Sequence, residues 1–453
     1  MRSVLLGNWA TVTLGDLRRN ESTRVVPADS PDETFELWSV PSFEHDRPDV
    51  VSGSAIGSDK QSVSPGTVLV CKINPRINRV WVVRPSVGHR QIASTEWIPF
   101  APLEELDPRY LCYCLRQSHF RDFLATNVSG VGGSLMRVRP AVLDKFTIPL
   151  PPLAEQQRIV AAIEEHLSRL DAAVVGLERV RAQLPRYRAA VLASVVEAAA
   201  AGTNARMSTL GTELRESLRN GNSSKESRNG KGVRTLTLTA VTKGDFSERN
   251  TKLTVADPAK VADLWLEDDD LLIERSNTPE LVGTARLYRG PREFAIFPDL
   301  LIRARVHECL LPRYVEAVLM APATRRYFRD AAQGIAGTMP KISQRTVEAM
   351  PIPVPPIEEQ RRLLEDADQR LSVCQAMEST VMAALKHSLI TRQSILRRAF
   401  SGQLVSQDPN DEPASALLER IRAERAAAPV RKVTRSRRKA ARGRAPASGE
   451  LGD

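Results

Sequence analysis

Two long stretches of this chain place apolar residues at helical spacing, and the rest of the sequence is arranged around them. Over 152–201, Ile159, Ile163, Leu167, Leu170, Val174, Leu177, Leu184 and Val191 recur at threes, fours and sevens, with Glu, Arg and Gln between them. Such a stripe predicts an amphipathic helix that wants a partner helix. A weaker stripe of the same kind runs over 356–400 through Leu364, Ala367, Leu371, Cys374, Met377, Val381 and Leu385. Gly202 and Gly402 close the two rods, and Pro185 should kink or break the first. At 1.5 Å per residue, a nearly straight rod of this length would span roughly 60–75 Å.

Ahead of each rod the pattern changes to short β-branched runs bounded by turn residues, which predict strands at 67–73, 80–83, 236–241 and 271–273. Residues 108–124 and 312–328 each carry a helical pattern. Between the first two strands lies a basic, amide-bearing loop over 72–79, and Gly130-Val131-Gly132-Gly133-Ser134 forms a Gly-rich turn. Residues 220–231 read as a polar loop.

The chain is duplicated. PLPPLAEQQRIV beginning at Pro149 returns as PVPPIEEQRRLL beginning at Pro353, and the offset of 204 holds without a gap from Pro108/Pro312 to Arg188/Arg392. Matches along it include Arg109/Arg313, Tyr110/Tyr314, Arg121/Arg325, Gly130/Gly334 and Ile148/Ile352. A spacing this long marks a duplicated domain and not a solenoid. Leu210-Gly211 echoes Leu14-Gly15, although the upstream halves align poorly. In each motif the prolines hold the backbone extended, Pro152 and Pro356 suit a first helical turn, and Glu155 and Glu359 set negative charge against the helix dipole. The organisation predicted is a domain at 1–151, a long helix at 152–202, a second domain at 203–355, a second long helix at 356–407 and a charged, disordered tail at 408–453, with one short helical piece at 416–425. The fold class is α+β: two similar globular domains separated by two long antiparallel helices forming a coiled coil, with an internal pseudo-two-fold repeat.

Charge narrows the reading. Of the net +10 on 453 residues, eight charges lie between Arg431 and Arg444, where no acid occurs, so the rest of the chain is nearly neutral. A DNA-binding face must then come from local clustering. No apolar run reaches the ~20 residues a membrane helix needs, so a cytoplasmic protein is expected, with no membrane partner. The five cysteines have no framework spacing, and Cys112 and Cys114 read as buried helical thiols.

No enzyme can be assembled from these residues. No Gly-rich loop ends in the Lys-Ser/Thr pair of an NTPase, and the turn at Gly130 follows a helical stretch where a cofactor loop would follow a strand. Asn277-Thr278-Pro279-Glu280 lacks the second proline and the aromatic of the amino-methyltransferase motif. The six histidines are scattered without metal spacing, and Asp268-Asp269-Asp270 reads as an acidic turn. No catalytic residue, metal or cofactor is assigned to this chain. For DNA contact the candidates are basic and amide side chains in loops, because Arg and Lys neutralise phosphates while Arg, Asn and Gln read base edges. They are Lys72, Asn74, Arg76, Arg79 and Arg137 in the first domain, and Arg275, Asn277, Arg286, Lys341 and Arg345 in the second. Each alone could be a solvated surface charge; only the clusters carry weight.

The paired motifs Pro149-Pro152-Glu155-Gln156 and Pro353-Pro356-Glu359-Gln360, the rods behind them, RQSILRRAFSG from Arg392 to Gly402, and Glu274-Arg275-Ser276-Asn277 with Val282-Gly283 together resemble the specificity subunits of type I restriction–modification systems. The resemblance covers nearly everything up to about Asp408 and implies two target-recognition domains, with the helices acting as a ruler. It also implies a non-catalytic subunit that binds double-stranded DNA at a bipartite asymmetric site and docks two adenine methyltransferase (modification) subunits and, for cleavage, restriction/translocase subunits. S-adenosylmethionine, ATP and Mg would belong to those partners. The alternative is a coiled-coil adaptor that reads no sequence.

Overall fold

A computed structural model describes residues 7–19, 21–128, 136–228, 230–334 and 339–427. The chain divides into two compact units, one made of Met1–Asp171 with Ser388–Asp453 and the other of Ala172–His387. Each contains one globular domain and a stretch of both long helices.

In the first unit, strand Val68–Cys71 is flanked antiparallel by Val80–Val82 and Trp97–Phe100. A five-stranded sheet is added, in the order 24–25, 60–62, 90–94, 34–38, 49–52. In the second unit, strand Leu271–Glu274 is flanked by Ala285–Leu287 and Leu301–Ala304, with Arg219–Asn220 extending one edge. The two central sheets match in register: Val68 faces Phe100 as Leu271 faces Ala304, and Val68 faces Val82 as Leu271 faces Leu287. The duplication therefore reaches upstream of Pro108. It reaches the first strands as well, since Ala10–Thr13 pairs with Thr147–Leu150 and Arg206–Thr209 pairs with Pro351–Val354. Leu14 N–H donates to the Phe146 carbonyl and Leu210 N–H to that of Met350, both at 2.8 Å, so Leu210-Gly211 does stand where Leu14-Gly15 stands.

The long helices are Leu153–Ala201 and Ile357–Phe400. In the second unit the first helix ends, and the second begins, at the paired strands Arg206–Thr209 and Pro351–Val354, so the two leave that domain running in opposite directions. Val191, Val195 and Ala199 there share a core with Leu363, Leu364 and Ala367, and Arg188 pairs with Glu378 at 2.6 Å. In the first unit Ile159, Val160, Ile163 and Leu167 share a core with Ala399, and Arg392 pairs with Asp171. The first helix does not break at Pro185. Pro185 is exposed, and so is Arg181, whose carbonyl loses its donor, so water can satisfy that carbonyl.

Three further expectations are corrected. Residues 108–124 and 312–328 each form two helices, Pro108–Leu115 with Ser118–Thr126, and Pro312–Met320 with Pro322–Ala331. Gln117 and Ala321 are extended between them; Pro322 cannot continue the preceding helix, and Gln117 turns its amide back onto the Cys114 carbonyl at 3.1 Å. Residues 236–241 do not form one strand: Val233–Leu236 is a strand and Leu238–Lys243 a helix capped by Gly244 at φ 65°. Ala240 and Val241 lie on the buried face of this helix and pack with Leu236 in one core. Finally, within 408–453, Ala414–Ala427 is a helix that packs on the first domain through Ala414, Leu418 and Ile421, with Leu417 also buried. Arg19 donates to the Ile421 carbonyl at 2.7 Å, and Asp16 pairs with Arg425 at 3.3 Å. The segment is ordered because the domain supplies the apolar partner that its own composition lacks. The basic run from Arg431 lies outside the described residues, as does the whole Gly-rich turn from Gly130 to Ser134.

Candidate nucleic-acid interface

The proline motif is the joint between domain and rod. Gln156 is fully buried: its Oε1 accepts Asp107 N–H at 2.9 Å, and its Nε2 donates to the carbonyls of Pro151 at 3.0 Å and Glu105 at 3.2 Å. Gln360 makes the same three bonds, accepting Leu311 N–H and donating to the Pro355 and Cys309 carbonyls, all at 2.8 Å. The tyrosine hydroxyls of Tyr110 and Tyr314 donate to the carbonyls of Pro149 and Pro353, each at 2.9 Å. An amide and a phenol thus satisfy backbone groups that the prolines at 149–152 and 353–356 leave unpaired. Pro152 and Pro356 sit immediately before the helices.

The two acids of the motif differ. Glu155 is buried, accepts Trp9 Nε1–H at 3.0 Å, and has its pKa pushed up by burial. Glu359 is held by Arg362 at 2.5 Å, which lowers its pKa.

The joint presents a loop at the end of each central strand. After Cys71, the Lys72 carbonyl accepts Val138 N–H at 2.9 Å, Ile73 bridges to Arg137, and Asn74 N–H donates to the Met136 carbonyl at 3.1 Å. After Glu274, the Arg275 carbonyl accepts Ile342 N–H at 2.9 Å and Ser276 bridges to Lys341. Lys72 and Arg275 therefore occupy one structural position, Arg137 and Lys341 another, and Asn74 and Asn277 a third. Six of the ten candidates fall at these three places, a correspondence the sequence did not show.

Their side chains are held to different degrees. Lys72 Nζ donates to the Thr95 carbonyl at 2.5 Å and lies 3.9 Å from Glu96, which also pairs with Arg137 at 3.1 Å. Glu96 thus steadies two cations on one edge. Arg76 is exposed and has no ionic partner among the described residues. Asn74 adopts a left-handed φ of 46°. Arg275 donates to the Asp299 carbonyl at 3.4 Å. Asn277 is only 9% exposed: its amide donates to Glu274 at 2.6 Å and its oxygen accepts Thr278 N–H at 2.8 Å. As placed, Asn277 shapes the loop more than it faces solvent. Burial raises the pKa of Glu274 beneath it, against hydrogen bonds from Thr242 and Asn277. Lys341 is exposed on a backbone pairing with Gln333 at 2.9 Å.

Of the other four candidates, Arg76 lies in the first loop and three stand apart. Arg79 is mostly buried, 3.6 Å from Glu44. Arg286 lies on strand Ala285–Leu287 in a groove with Arg188 and Arg313. Arg345 is exposed on the short helix Gln344–Glu348. The acidic turn is neutralised from within, since Asp270 holds Arg305 at 2.5 Å and Asp269 holds Arg289 at 2.6 Å. Tyr110 and Tyr314 stood out in the sequence only as a matched pair at the fixed offset; their role needed coordinates.

Each globular domain thus carries an equivalent loop on an equivalent sheet, joined to the long helices. Residues 7–176 match the family model described as type I restriction modification DNA specificity domain. The chain is 28% identical over 346 residues to the specificity subunit of the type I restriction enzyme EcoKI of Escherichia coli K12, covering 72% of this chain and 74% of that one. It is 28% identical over 371 residues to that of StySPI from Salmonella potsdam, covering 74% and 76%. A solved structure concerned with complex assembly and conformational transition of the type I R-M system superposes with a TM-score of 0.72 at 21% identity, covering 88% of this chain and 99% of that one. The HsdS subunit from Thermoanaerobacter tengcongensis gives 0.61 at 22%, covering 88% and 98%. Residues 7–176 thus carry a type I restriction–modification DNA specificity domain, and over nearly three quarters of its length the chain is similar to the specificity subunits of type I restriction enzymes. Among the described residues, no helix is long and apolar enough to cross a membrane.

Proposed function

We infer that this chain reads a bipartite asymmetric DNA sequence for a type I restriction–modification complex and leaves all bond-breaking to its partners. The observation that carries this is the pair of equivalent loops, Lys72/Asn74/Arg137 and Arg275/Asn277/Lys341, placed by the same backbone bonds on one chain. Identical scaffolding with unlike side chains suits two half-sites of different sequence. Exposed cations in the loops would hold phosphates, and the amides and remaining guanidiniums would read base edges. The rods would set the spacer. Two modification subunits would methylate adenine using S-adenosylmethionine, and restriction subunits would use ATP and Mg, all in the cytoplasm.

Methylome sequencing of the host tests the reading. A split motif methylated on adenines is expected, and its persistence after deletion of this gene would reject it. Exchanging the residues before Pro149 for those of a related subunit should rewrite one half of the motif only. Shortening both rods by whole turns should change the spacer and leave both halves alone.

A further inference from the structure

The motif from Arg392 to Gly402 is only partly explained by packing. Ile395, Leu396, Ala399 and Phe400 lie against the core of the first unit, and Phe400 meets Tyr110 edge-on at 5.3 Å. The polar residues of the same stretch face elsewhere. Arg392, Gln393 and Arg397 form one wall of an open groove of about 570 Å³, whose other wall is Asn78 with Arg116 and Arg121 at the junction of two helices. Four guanidiniums line this groove, and no carboxylate lines it. Arg116 donates to the Val80 carbonyl at 2.8 Å, a bond that leaves its charge uncompensated. Arg397 is exposed with no ionic partner among the described residues, and Arg121 has only the adjacent Asp122 at 3.6 Å.

The second unit offers a built-in comparison. Its groove of about 530 Å³ contains Arg188, Leu192 and Met320, which stand where Arg392, Leu396 and Arg116 stand in the first. There Glu316 lines the wall and pairs with Arg313 at 2.8 Å, Arg313 also meets Asp368 at 2.8 Å, and Arg188 is held by Glu378 at 2.6 Å. Counted with these partners and with Arg286, the second groove is neutral, whereas the first, where Arg392 is likewise held by Asp171 and Arg121 stands beside Asp122, keeps Arg116 and Arg397 without a carboxylate. It also begins in the candidate DNA loop itself, because Asn78 is two residues beyond Arg76.

We propose that the first groove is a phosphate clamp for the DNA backbone, so that the second long helix contacts nucleic acid through Arg397 and its neighbours beside the first half-site. Guanidinium forks and the exposed amide of Gln393 are suitable donors to phosphate oxygens and discriminate no base, while Asn78, its amide on the Leu115 carbonyl at 2.9 Å, shapes the wall. The clamp rests on the chain being a DNA-reading subunit, and it adds affinity on one side only.

The test uses the full chain in complex with its modification subunit. Affinity for a duplex carrying the split site is measured against salt concentration for wild type and for R121Q/R397Q, with R361Q as control. Arg361 is exposed on the same helix and lies outside the groove. The double variant should lower the slope of log affinity against log salt by about 1.8, at about 0.9 per phosphate released. Its methylated motif and melting temperature should be unchanged, and R361Q should leave the slope alone. If the double variant misfolds, R397Q alone should lower the slope by about 0.9. An unchanged slope overturns the clamp, as does an equal effect of R361Q or an altered motif, which would mean base reading. Loss of the modification subunit with an unchanged slope also overturns it and makes the groove a protein dock. If wild type directs no split-motif methylation at all, the DNA-reading function itself fails, a result the variants cannot produce.

Discussion

The two domains share a three-stranded sheet register for register, yet differ in almost everything packed on it. In the first, a five-stranded sheet brings Trp38, Trp81 and Trp97 into one cluster, with Trp38 and Trp81 centroids 4.4 Å apart. In the second, a two-stranded hairpin and the helix Leu238–Lys243 close over Tyr288 and Phe297 instead. The shared part joins the rods and aims the loops, and the unlike part gives each loop its surroundings. A duplicated joint can therefore stay constant while the two reading surfaces diverge.

The largest expected asymmetry concerns the C-terminal helix, which covers the first domain and, among the described residues, has no counterpart on the second. Truncation after Asp408 deletes Leu417, Leu418 and Ile421, uncovers the apolar surface they pack on, and removes the partners of Arg19 and Asp16. At about 1.5–3 kcal/mol per large apolar side chain, the first domain should lose about 5 kcal/mol. Hydrogen exchange should then accelerate across 7–150 and stay unchanged across 206–354; equal acceleration in both would break the comparison.

The joints should be equal where the coverings are not. Gln156→Leu orphans three buried backbone groups and Gln360→Leu one buried and two part-buried, and each should cost about 3 kcal/mol in thermal unfolding of its own domain. A large difference between them would mean that the two joints are not equivalent. Gly283→Asn should cost a similar amount, about 3 kcal/mol, because a Cβ there would lie 2.6 Å from Phe328.

The rods, the fixed offset of 204 and the central strands near Val68, Val80 and Leu271 were legible because each rests on local periodicity or on exact repetition. The upstream duplication was hidden by loops of unequal length. Its offset is 196 at Leu14/Leu210, 203 at Val68/Leu271 and 205 at Val80/Ala285 before settling at 204. The two-helix breaks were half legible: Pro322 announces one, and nothing local announces the extended Gln117. Among the site residues, the basic character of the loops was visible. That Arg79 and Asn277 turn inward was not, since Glu44 reaches Arg79 through the fold and the Glu274 that holds Asn277, though only three residues away, is itself buried by the fold. The helix at 414–427 shows the same limit: a short helical piece was readable, but its burial depends on a surface some 400 residues away in sequence.

The domains should also respond oppositely to pH. In the second, Glu213 is gripped by Arg206 at 2.6 and 2.7 Å and by Ser208 at 2.6 Å, the Arg206 bonds foremost in lowering its pKa to about 2. A folded-state pKa below the unfolded value near 4.3 gives stability that is present above that value and lost as pH falls towards 2. With Arg206 half exposed to solvent, the loss should be at most about 2 kcal/mol, and Glu213→Gln should abolish the pH dependence. Glu155 in the first domain has its pKa raised by burial, so its contribution runs the other way and stability falls as pH rises through the range above the unfolded value. Calorimetry between pH 3 and 6 on wild type, Glu213→Gln and Glu155→Gln separates the two slopes; slopes of the same sign would refute the assignment.

The smallest effect probes one backbone position at which the domains solved the same problem differently. Asn78 and Gly283 both precede the edge strand of the central sheet in left-handed conformation, at φ 50° and 75°. Gly283 is forced by Phe328 pressing against it, whereas Asn78 has room for a side chain and uses its amide to hold the Leu115 carbonyl at 2.9 Å. Asn78→Gly keeps the favoured φ and removes one hydrogen bond, so it should cost about 1 kcal/mol. Asn78→Ala should cost roughly 1 kcal/mol more, because alanine tolerates the left-handed region less well. If Asn78→Gly and Asn78→Ala melt together, the conformation is not what selects this residue and the parallel with Gly283 fails. If they separate, the turn before the strand is a shared requirement met by glycine where space is lacking and by asparagine where a carbonyl needs a donor.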